Sequence, residues 1–268
     1  SSDGTAKLWE SSSGTLVTTL FHGGRIKFLD AAEQGNQLLT LSTLGSVKLW
    51  HIDPPRSMRV LGPTANASYY EPSPVISRSG MLARATDEGV AMWRLVSGEK
   101  VELPDNQDPV VGVALVSDET TLVAASGEGD LRAYDLQSKT LKWRRQAPIG
   151  HARLAAMASS SSGMIVTSDS LGELRWFNEF GVLLSSERLP APGTTLDWSK
   201  NGATVAVSLR NTDQREIMLF DGYSRRRLAT LPSKYADAAI SPDGKYLVTA
   251  TQASSTIEIW DRHGTMLK

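Results

Sequence analysis

Four histidines are the first candidates for chemistry near neutral pH, because imidazole can bind a metal or act as a general base. They stand far apart in this 268-residue chain, at His22, His51, His151 and His263, and no carboxylate lies at a known motif spacing from any of them. The chain contains no Cys, which excludes disulfides, thiolate metal sites and cysteine nucleophiles. We therefore favour structural or solvated histidines, with metal binding or base catalysis as the alternative.

Sequence motifs for catalysis are missing as well. The chain has no Gly-Lys-Ser/Thr phosphate loop, no Gly-x-Ser-x-Gly elbow and no His-Glu-x-x-His zinc motif. No Asp-rich run has the spacing of a calcium loop. The sequence thus predicts no catalytic residue, no metal site and no cofactor.

Two adjacent tyrosines are better suited to binding a partner protein than to catalysis. Tyr69 and Tyr70 lie in "LGPTANASYYEPSP", the longest and most proline-rich connector in the chain. Exposed aromatic residues on a loop are typical contact anchors. The alternative is that one of the two tyrosines packs over the end of a neighbouring sheet.

Two basic clusters are the other candidate contacts. They comprise Lys142, Arg144 and Arg145, and then Arg225, Arg226 and Arg227. One interpretation is a docking patch for an acidic partner. The balanced charge around them favours the other interpretation, in which they protect an exposed edge strand from mispairing.

The overall charge limits the class of partner. Hydrophobic residues make up 40% of the chain, charged residues 21%, and the formal net charge is −1. This balance disfavours attraction to nucleic acid or to an anionic membrane. No apolar run approaches the about 18 residues that span a bilayer. We expect other proteins as partners, with no nucleic acid, no membrane insertion and no small-molecule substrate. The composition does not fix the compartment, although a cytoplasmic location is favoured.

These candidates must be positioned by a repeated unit. Aromatic residues that end a short apolar stretch recur at intervals of 40 to 43 residues, as Trp9, Trp50, Trp93, Tyr134, Phe177, Phe220 and Trp260. The residues one and three positions before each of these repeat anchors are apolar, whereas the residue two positions before is of mixed type. Alternation with period two is typical of a β-strand with a buried face.

Further strands surround each anchor. An apolar–turn–apolar stretch precedes the later six, most clearly in "AISPDGKYLVTA", and indicates a hairpin. Another short strand follows each anchor. Each repeat is therefore four short antiparallel strands, a to d, whose apolar faces are buried when such sheets stack radially. The sequence predicts an all-β fold, a β-propeller of four-stranded antiparallel blades.

The repeats resemble those of the WD-repeat family. "KLWE", "KLWH" and "IEIWD" resemble its strand c, and "SPDGKYLVTA" resembles its first hairpin. The copies are degenerate, since only Trp260-Asp261 is a literal Trp-Asp pair. The resemblance implies that His151, in Gly150-His151, holds the structural histidine position of the family, with His22 as a second match. It also implies that most blades lack the His–Ser/Thr–Trp hydrogen-bond network of the family.

The strand count predicts a seven-bladed propeller with an incomplete first blade. The single domain 1–268 then divides into a half blade at 1–22 and blades at about 23–63, 64–106, 107–149, 150–191, 192–233 and 234–268. The half blade would contain only strands c and d, so we expect the chain to be a fragment of a longer protein. The alternative is a six-bladed ring with residues 1–20 outside it.

The resemblance and the missing catalytic motifs favour a non-catalytic scaffold for protein–protein interaction, as a module of a larger multidomain or multisubunit protein. The alternative is a cofactor-binding or hydrolytic propeller enzyme. "GDLRAYDLQSKTLKWRRQ" resembles the repeats of quinoprotein propellers. Asp197 and Asp237 would be the best candidates for polar groups facing a central channel, although each can equally cap a turn.

Overall fold

A computed structural model describes residues 1–10, 12–31, 37–43, 46–52, 58–60, 74–77, 79–105, 108–116, 119–210, 215–233, 237–250 and 257–267. All regular secondary structure in this part of the chain is β-strand. Within it, no helix is long and apolar enough to cross a membrane. The chain divides into two compact units, residues 1–83 with 91–101, and residues 84–90 with 102–268.

The first unit begins with a two-stranded sheet, which we call the N-terminal pair. It consists of β1 (Thr5–Trp9) and β2 (Leu16–Phe21). Blade 1 follows, with β3 (Ile26–Ala31), β4 (Gln37–Ser42), β5 (Val47–His51) and β6 (Met58–Val60). Blade 2 comprises β7 (Val75–Ile76), β8 (Met81–Thr86), β9 (Gly89–Arg94) and β10 (Lys100–Val101), with β8 and β9 contributing residues to both units.

The second unit carries four blades. Blade 3 consists of β11 (Val110–Val116), β12 (Thr121–Ser126), β13 (Asp130–Asp135) and β14 (Leu141–Gln146). Blade 4 consists of β15 (Leu154–Ser159), β16 (Ile165–Asp169), β17 (Glu173–Phe177) and β18 (Leu183–Arg188). Blade 5 consists of β19 (Gly193–Trp198), β20 (Thr204–Arg210), β21 (Arg215–Asp221) and β22 (Arg227–Ser233). Blade 6 consists of β23 (Asp237–Ile240), β24 (Tyr246–Ala250) and β25 (Ile257–Asp261), and Met266 adds an isolated bridge to Trp260.

Each blade is a meander in which sequential strands pair antiparallel, so the predicted order a-b-c-d is the spatial order. The pairing of strands c and d shifts register immediately before the anchor in the N-terminal pair and in blades 3, 4 and 5. A bulge of this kind bends a strand and increases its twist. The bulge recurs at a fixed point of the repeat, beside the turn that joins strands c and d.

The hydrophobic core lies between successive blades. In blade 4, Phe177 packs against Val116 and Val123 of blade 3, whereas its neighbour Trp176 packs against blade 5. The Trp176 ring meets Phe220 edge-on, with the ring centroids 6.0 Å apart. Both faces of strand c are therefore buried, each against a different neighbour, which explains the apolar residues on both sides of the alternation.

Innermost strands connect the blades of the second unit. The Ser159 hydroxyl of β15 donates to the Leu115 carbonyl of β11 at 2.6 Å. The Ile240 backbone N–H of β23 donates to the Asp197 carboxylate of β19 at 3.3 Å. Contact between the a strands of neighbouring sheets is the arrangement of a propeller.

The fold is thus an all-β propeller of four-stranded antiparallel blades, but the number of blades differs from the prediction. The described residues form six blades rather than seven, which agrees with the alternative given by the sequence. Strands β1 and β2 form their own sheet, which packs Ala6 and Leu20 against Leu38 and Trp50 of blade 1. With no further strand beside it among the described residues, this sheet leaves the Trp9 side chain 54% exposed, unlike the buried later anchors such as Tyr134 and Phe220.

Candidate functional site

The basic cluster on blade 3 joins an ion-pair network. The Arg144 guanidinium on β14 lies 2.8 Å from one carboxylate oxygen of Asp130, and the Arg132 guanidinium lies 2.5 Å from the other. Asp130 and Arg132 point to the same side of β13 because they are two residues apart in a strand. The side chain of Arg144 is largely exposed, whereas Asp130 and Arg132 are buried.

Arg132 also holds the connector that leads from blade 2 to blade 3. Its guanidinium donates to the Asp105 carbonyl at 2.6 Å and forms a second ion pair with Asp108. Burial lowers the pKa of Arg132, but the hydrogen bonds to Asp108 and Asp130 outweigh it and raise that pKa above its ordinary value. Arg132 is therefore permanently charged. It pins a loop to a strand, which is a structural task rather than proton transfer.

The anchor of the same blade contributes to this cluster. The Tyr134 hydroxyl reaches the Asp105 carbonyl at 3.4 Å, and burial raises the pKa of the phenol. Tyr134 therefore stays neutral in the physiological range, so it is not poised to act as a base.

Arg145 lies on the opposite side of β14 from Arg144, toward blade 4. A Cβ built on Gly181 would come within 3.0 Å of the Arg145 Cγ, which places this side chain beside the turn between β17 and β18. Its guanidinium donates to the Arg144 carbonyl at 2.9 Å. Trp143 donates through its indole N–H to the Glu179 carbonyl in the same turn, at 3.1 Å. The strand is thereby attached to its neighbouring blade.

The second basic cluster occupies the turn between β21 and β22. Arg225 has a left-handed backbone, with φ of 62° and its N–H bonded to the Asp221 carbonyl at 2.8 Å. Arg226 and Arg227 are exposed. This cluster stands at the start of a strand d, whereas Arg144 and Arg145 stand near the end of one, and blade 4 separates the two. The structure does not bring the two basic clusters together.

Asp221 supports that turn. Its carboxylate accepts from the Ser224 N–H at 2.7 Å and from the Arg262 guanidinium at 2.6 Å. Burial raises the pKa of Asp221, but these hydrogen bonds outweigh it and hold the pKa below its ordinary value. The turn that carries the arginines is therefore fixed at neutral pH.

His22 forms a hydrogen-bond network, although the sequence gave it only as the second match to the structural histidine, after His151. The imidazole lies 2.7 Å from the Thr40 hydroxyl through Nδ1 and 2.8 Å from the Ser46 hydroxyl through Nε2. Trp50 donates to the same Thr40 hydroxyl at 2.8 Å. This is the His–Ser/Thr–Trp network, and it is in blade 1. His151, which was expected to hold the structural position, is exposed. A threonine ten residues before an anchor tryptophan was the signal in the sequence.

The structure describes only some of the remaining predicted residues. Tyr69 and Tyr70 lie outside the described residues, as does the side chain of Asp237. Asp197 accepts the Ile240 N–H at 3.3 Å, which is a contact between the inner strands of blades 5 and 6. Among the residues that the structure describes, no group of three or more His, Cys, Asp or Glu side chains is arranged to hold a metal ion.

Comparison with known proteins agrees with the repeat analysis. The family model "WD domain, G-beta repeat" matches residues 228–261, which extend from β22 to the end of β25. Autophagy-related protein 16 from Arabidopsis thaliana is similar to this chain, with 23% identity over 265 residues. The alignment covers 96% of this chain and 43% of that protein, so the chain spans less than half the length of this relative.

Proposed function

Because the chain is a WD40-repeat protein with degenerate copies, we propose that it is a non-catalytic scaffold for protein–protein interaction. It would act as a single module, residues 1–268, of a larger multidomain or multisubunit protein. Other proteins would be its partners.

One observation carries this proposal: the polar clusters of blades 1, 3 and 5 fix backbone segments to one another. Arg132 ties a connector to β13, and Asp221 supports the turn between β21 and β22. The His22 network joins the segment after β2 to strands β4 and β5. Loops that extend from segments fixed in this way lose little conformational entropy when a partner binds, and this small loss favours binding.

The candidate contacts are those that the sequence singled out. Arg144 and Arg145 are exposed on β14, and Arg226 and Arg227 are exposed where β22 begins. Arg225 belongs to the same turn, and Tyr69 and Tyr70 belong to the proposal through their connector. The name of the Arabidopsis relative directs the first partner screen to autophagy-related proteins.

The test is reconstitution with purified proteins. Candidates enriched by the immobilised chain are purified and titrated against it by calorimetry. We expect a complex of defined stoichiometry with at least one of them. Replacement of Arg226 and Arg227 by Glu should weaken the binding of an acidic partner about tenfold. The matched control is Lys245→Glu at an exposed residue in blade 6. A stoichiometric quinone or metal in the purified chain, together with no stable protein complex, would overturn the proposal.

A further inference from the structure

The outer strands of the three complete blades in the second unit differ in how they are protected. Strand β14 exposes Lys142, Arg144 and Arg145, and β22 begins with Arg227 and contains Pro232. Strand β18 exposes Leu183 and Leu184 instead, at 40% and 41% of their surface. Its first four residues, 183–186, include no charge and no proline.

This difference matters because an outer strand has one row of backbone N–H and C=O groups without a partner strand. Charged side chains and proline discourage another chain from pairing with such an edge. Strand β18 is the terminal strand of its sheet, and its leucines favour pairing rather than oppose it. Under the edge interpretation of the arginine clusters, β18 is therefore the strand among these three whose first residues, 183–186, lack such protection.

The apolar surface continues into the preceding turn. Phe180 is 58% exposed and Val182 is 50% exposed. The turn is rigid, since the Asn178 side-chain oxygen accepts from the Phe180 N–H at 3.1 Å and from the Val182 N–H at 2.9 Å. An aromatic side chain on a fixed turn suits a contact anchor, because little conformational freedom is lost on binding.

Positive charge flanks this apolar segment. Arg145 lies beside Gly181 at one end of β18, and the mostly exposed Arg188 lies at the other, 3.9 Å from Glu173. Glu187, opposite Leu174 in register, is on the face of the blade away from Leu184 and Arg188. The Glu179 side chain packs against Gly163, in the turn between β15 and β16. The flanks of the segment are therefore complementary to carboxylates.

We propose that the edge formed by Phe180–Arg188 pairs with an extended segment of a partner protein that has apolar residues at alternate positions and acidic residues near its ends. Backbone hydrogen bonds to β18 provide the affinity, and Phe180, Val182 and Leu184 select the side chains. This inference rests on the proposed scaffold function, since it names the surface and the chemistry of one partner.

The test uses a displayed library of random peptides long enough to span β18, selected on the whole chain. The binding constant of the consensus peptide is then measured for the wild-type chain and for Leu184→Lys. We expect Leu184→Lys to weaken binding at least about tenfold. The matched control is Thr230→Lys at an exposed position of β22, which should change binding less than about twofold. Arg145→Glu should weaken the binding of acidic peptides, and this effect should become smaller as salt is added.

Two further measurements are specific to strand pairing. The bound peptide should slow amide exchange in residues 183–188, and an N-methylated peptide should lose affinity because its backbone can no longer donate. Full binding by Leu184→Lys, protection of other amides instead, or no selected peptide would each overturn the inference. The scaffold proposal would still stand if the reconstituted partner bound Leu184→Lys and the wild-type chain equally well.

Discussion

Trp50 donates its indole N–H to the Thr40 hydroxyl in blade 1, across strands β5 and β4, at 2.8 Å. Blade 6 repeats the pair, with Trp260 donating to the Thr249 hydroxyl at 2.9 Å. In blade 4 the equivalent residues are Phe177 and Thr167, since Phe177 pairs with Ile165 as Trp50 pairs with Leu38. Phenylalanine has no N–H. The buried Thr167 hydroxyl accordingly finds no hydrogen-bond partner within the described part of the chain.

The two threonines should respond in opposite ways to the same substitution. Thr40→Val should lower the free energy of unfolding by about 2 kcal/mol, because it leaves the Trp50 N–H and the His22 ring without their partner. Thr167→Val should be neutral or stabilising by up to about 1 kcal/mol, because it replaces an unpaired buried hydroxyl by a methyl group of similar shape. Urea unfolding measures both. Equal destabilisation of the two variants would contradict the assignment.

These pairs also show what could be predicted from the sequence. The 40-to-43-residue period and the alternation around each anchor indicate the blades, because burial against two neighbours requires apolar residues on both faces of strand c. The number of blades could not be obtained from the period, since it depends on whether strands distant in the sequence join the sheet of β1 and β2. Strand pairing over long separations is set by packing that a local pattern does not contain.

The site was less predictable than the fold. Spacing alone identified the arginine clusters, but not that Asp130 joins Arg132 with Arg144, since this depends on the register of β13 with β14. The second partner of Arg132, Asp108, depends on the path of a connector. His22 was ranked below His151 because the Gly-His pair stands only at His151. Reading Thr40 together with Trp50 would have reversed that order.

The His22 network should make stability depend on pH. Burial and the nearby Lys48 lower the pKa of this histidine below its ordinary value. The unfolded chain therefore takes up a proton more readily than the native chain as the pH falls through about 6.5, so protonation favours unfolding. The resulting loss of stability is at most about 1.4 kcal/mol per pH unit.

The measurement compares unfolding at about pH 7.5 and about pH 5.5. The wild-type chain should lose more stability between these values than His22→Gln, which has no imidazole to protonate. The matched control is His151→Gln at an exposed site, which should keep the wild-type dependence on pH. An identical pH dependence in His22→Gln and the wild-type chain would show that the native network does not exclude the proton.

The ion pairs of blade 3 should differ in strength according to burial. Asp130→Ala should lower the free energy of unfolding by about 3 kcal/mol, because it leaves the buried Arg132 guanidinium without one of its two carboxylates. Glu128→Ala removes a carboxylate 3.0 Å from Arg153, but both side chains are largely exposed. That change should cost less than about 1 kcal/mol.

Salt provides a second readout for this pair of variants. The small effect of Glu128→Ala should shrink further in high salt, since exposed charges are screened, whereas the effect of Asp130→Ala should persist. If high salt abolished the effect of Asp130→Ala, the Asp130–Arg132 pair would be solvated rather than buried.

A side chain at Gly181, in the turn that carries Phe180, should be poorly tolerated. Its φ of 72° is left-handed, and a Cβ there would come within 2.7 Å of the Trp143 ring. Gly14 occupies the corresponding turn of the N-terminal pair with a φ of 66°, but nothing lies within 4 Å of its Cβ position. Gly14→Ala therefore measures the backbone strain alone, about 1 kcal/mol. Gly181→Ala adds displacement of Trp143 and loss of its hydrogen bond to the Glu179 carbonyl, for a total of about 3 kcal/mol.

Urea unfolding gives both values, and a red shift of tryptophan emission in native Gly181→Ala reports the displaced ring. Equal costs for the two variants would mean that blade 3 yields to the added methyl group, so that Trp143 does not hold the turn.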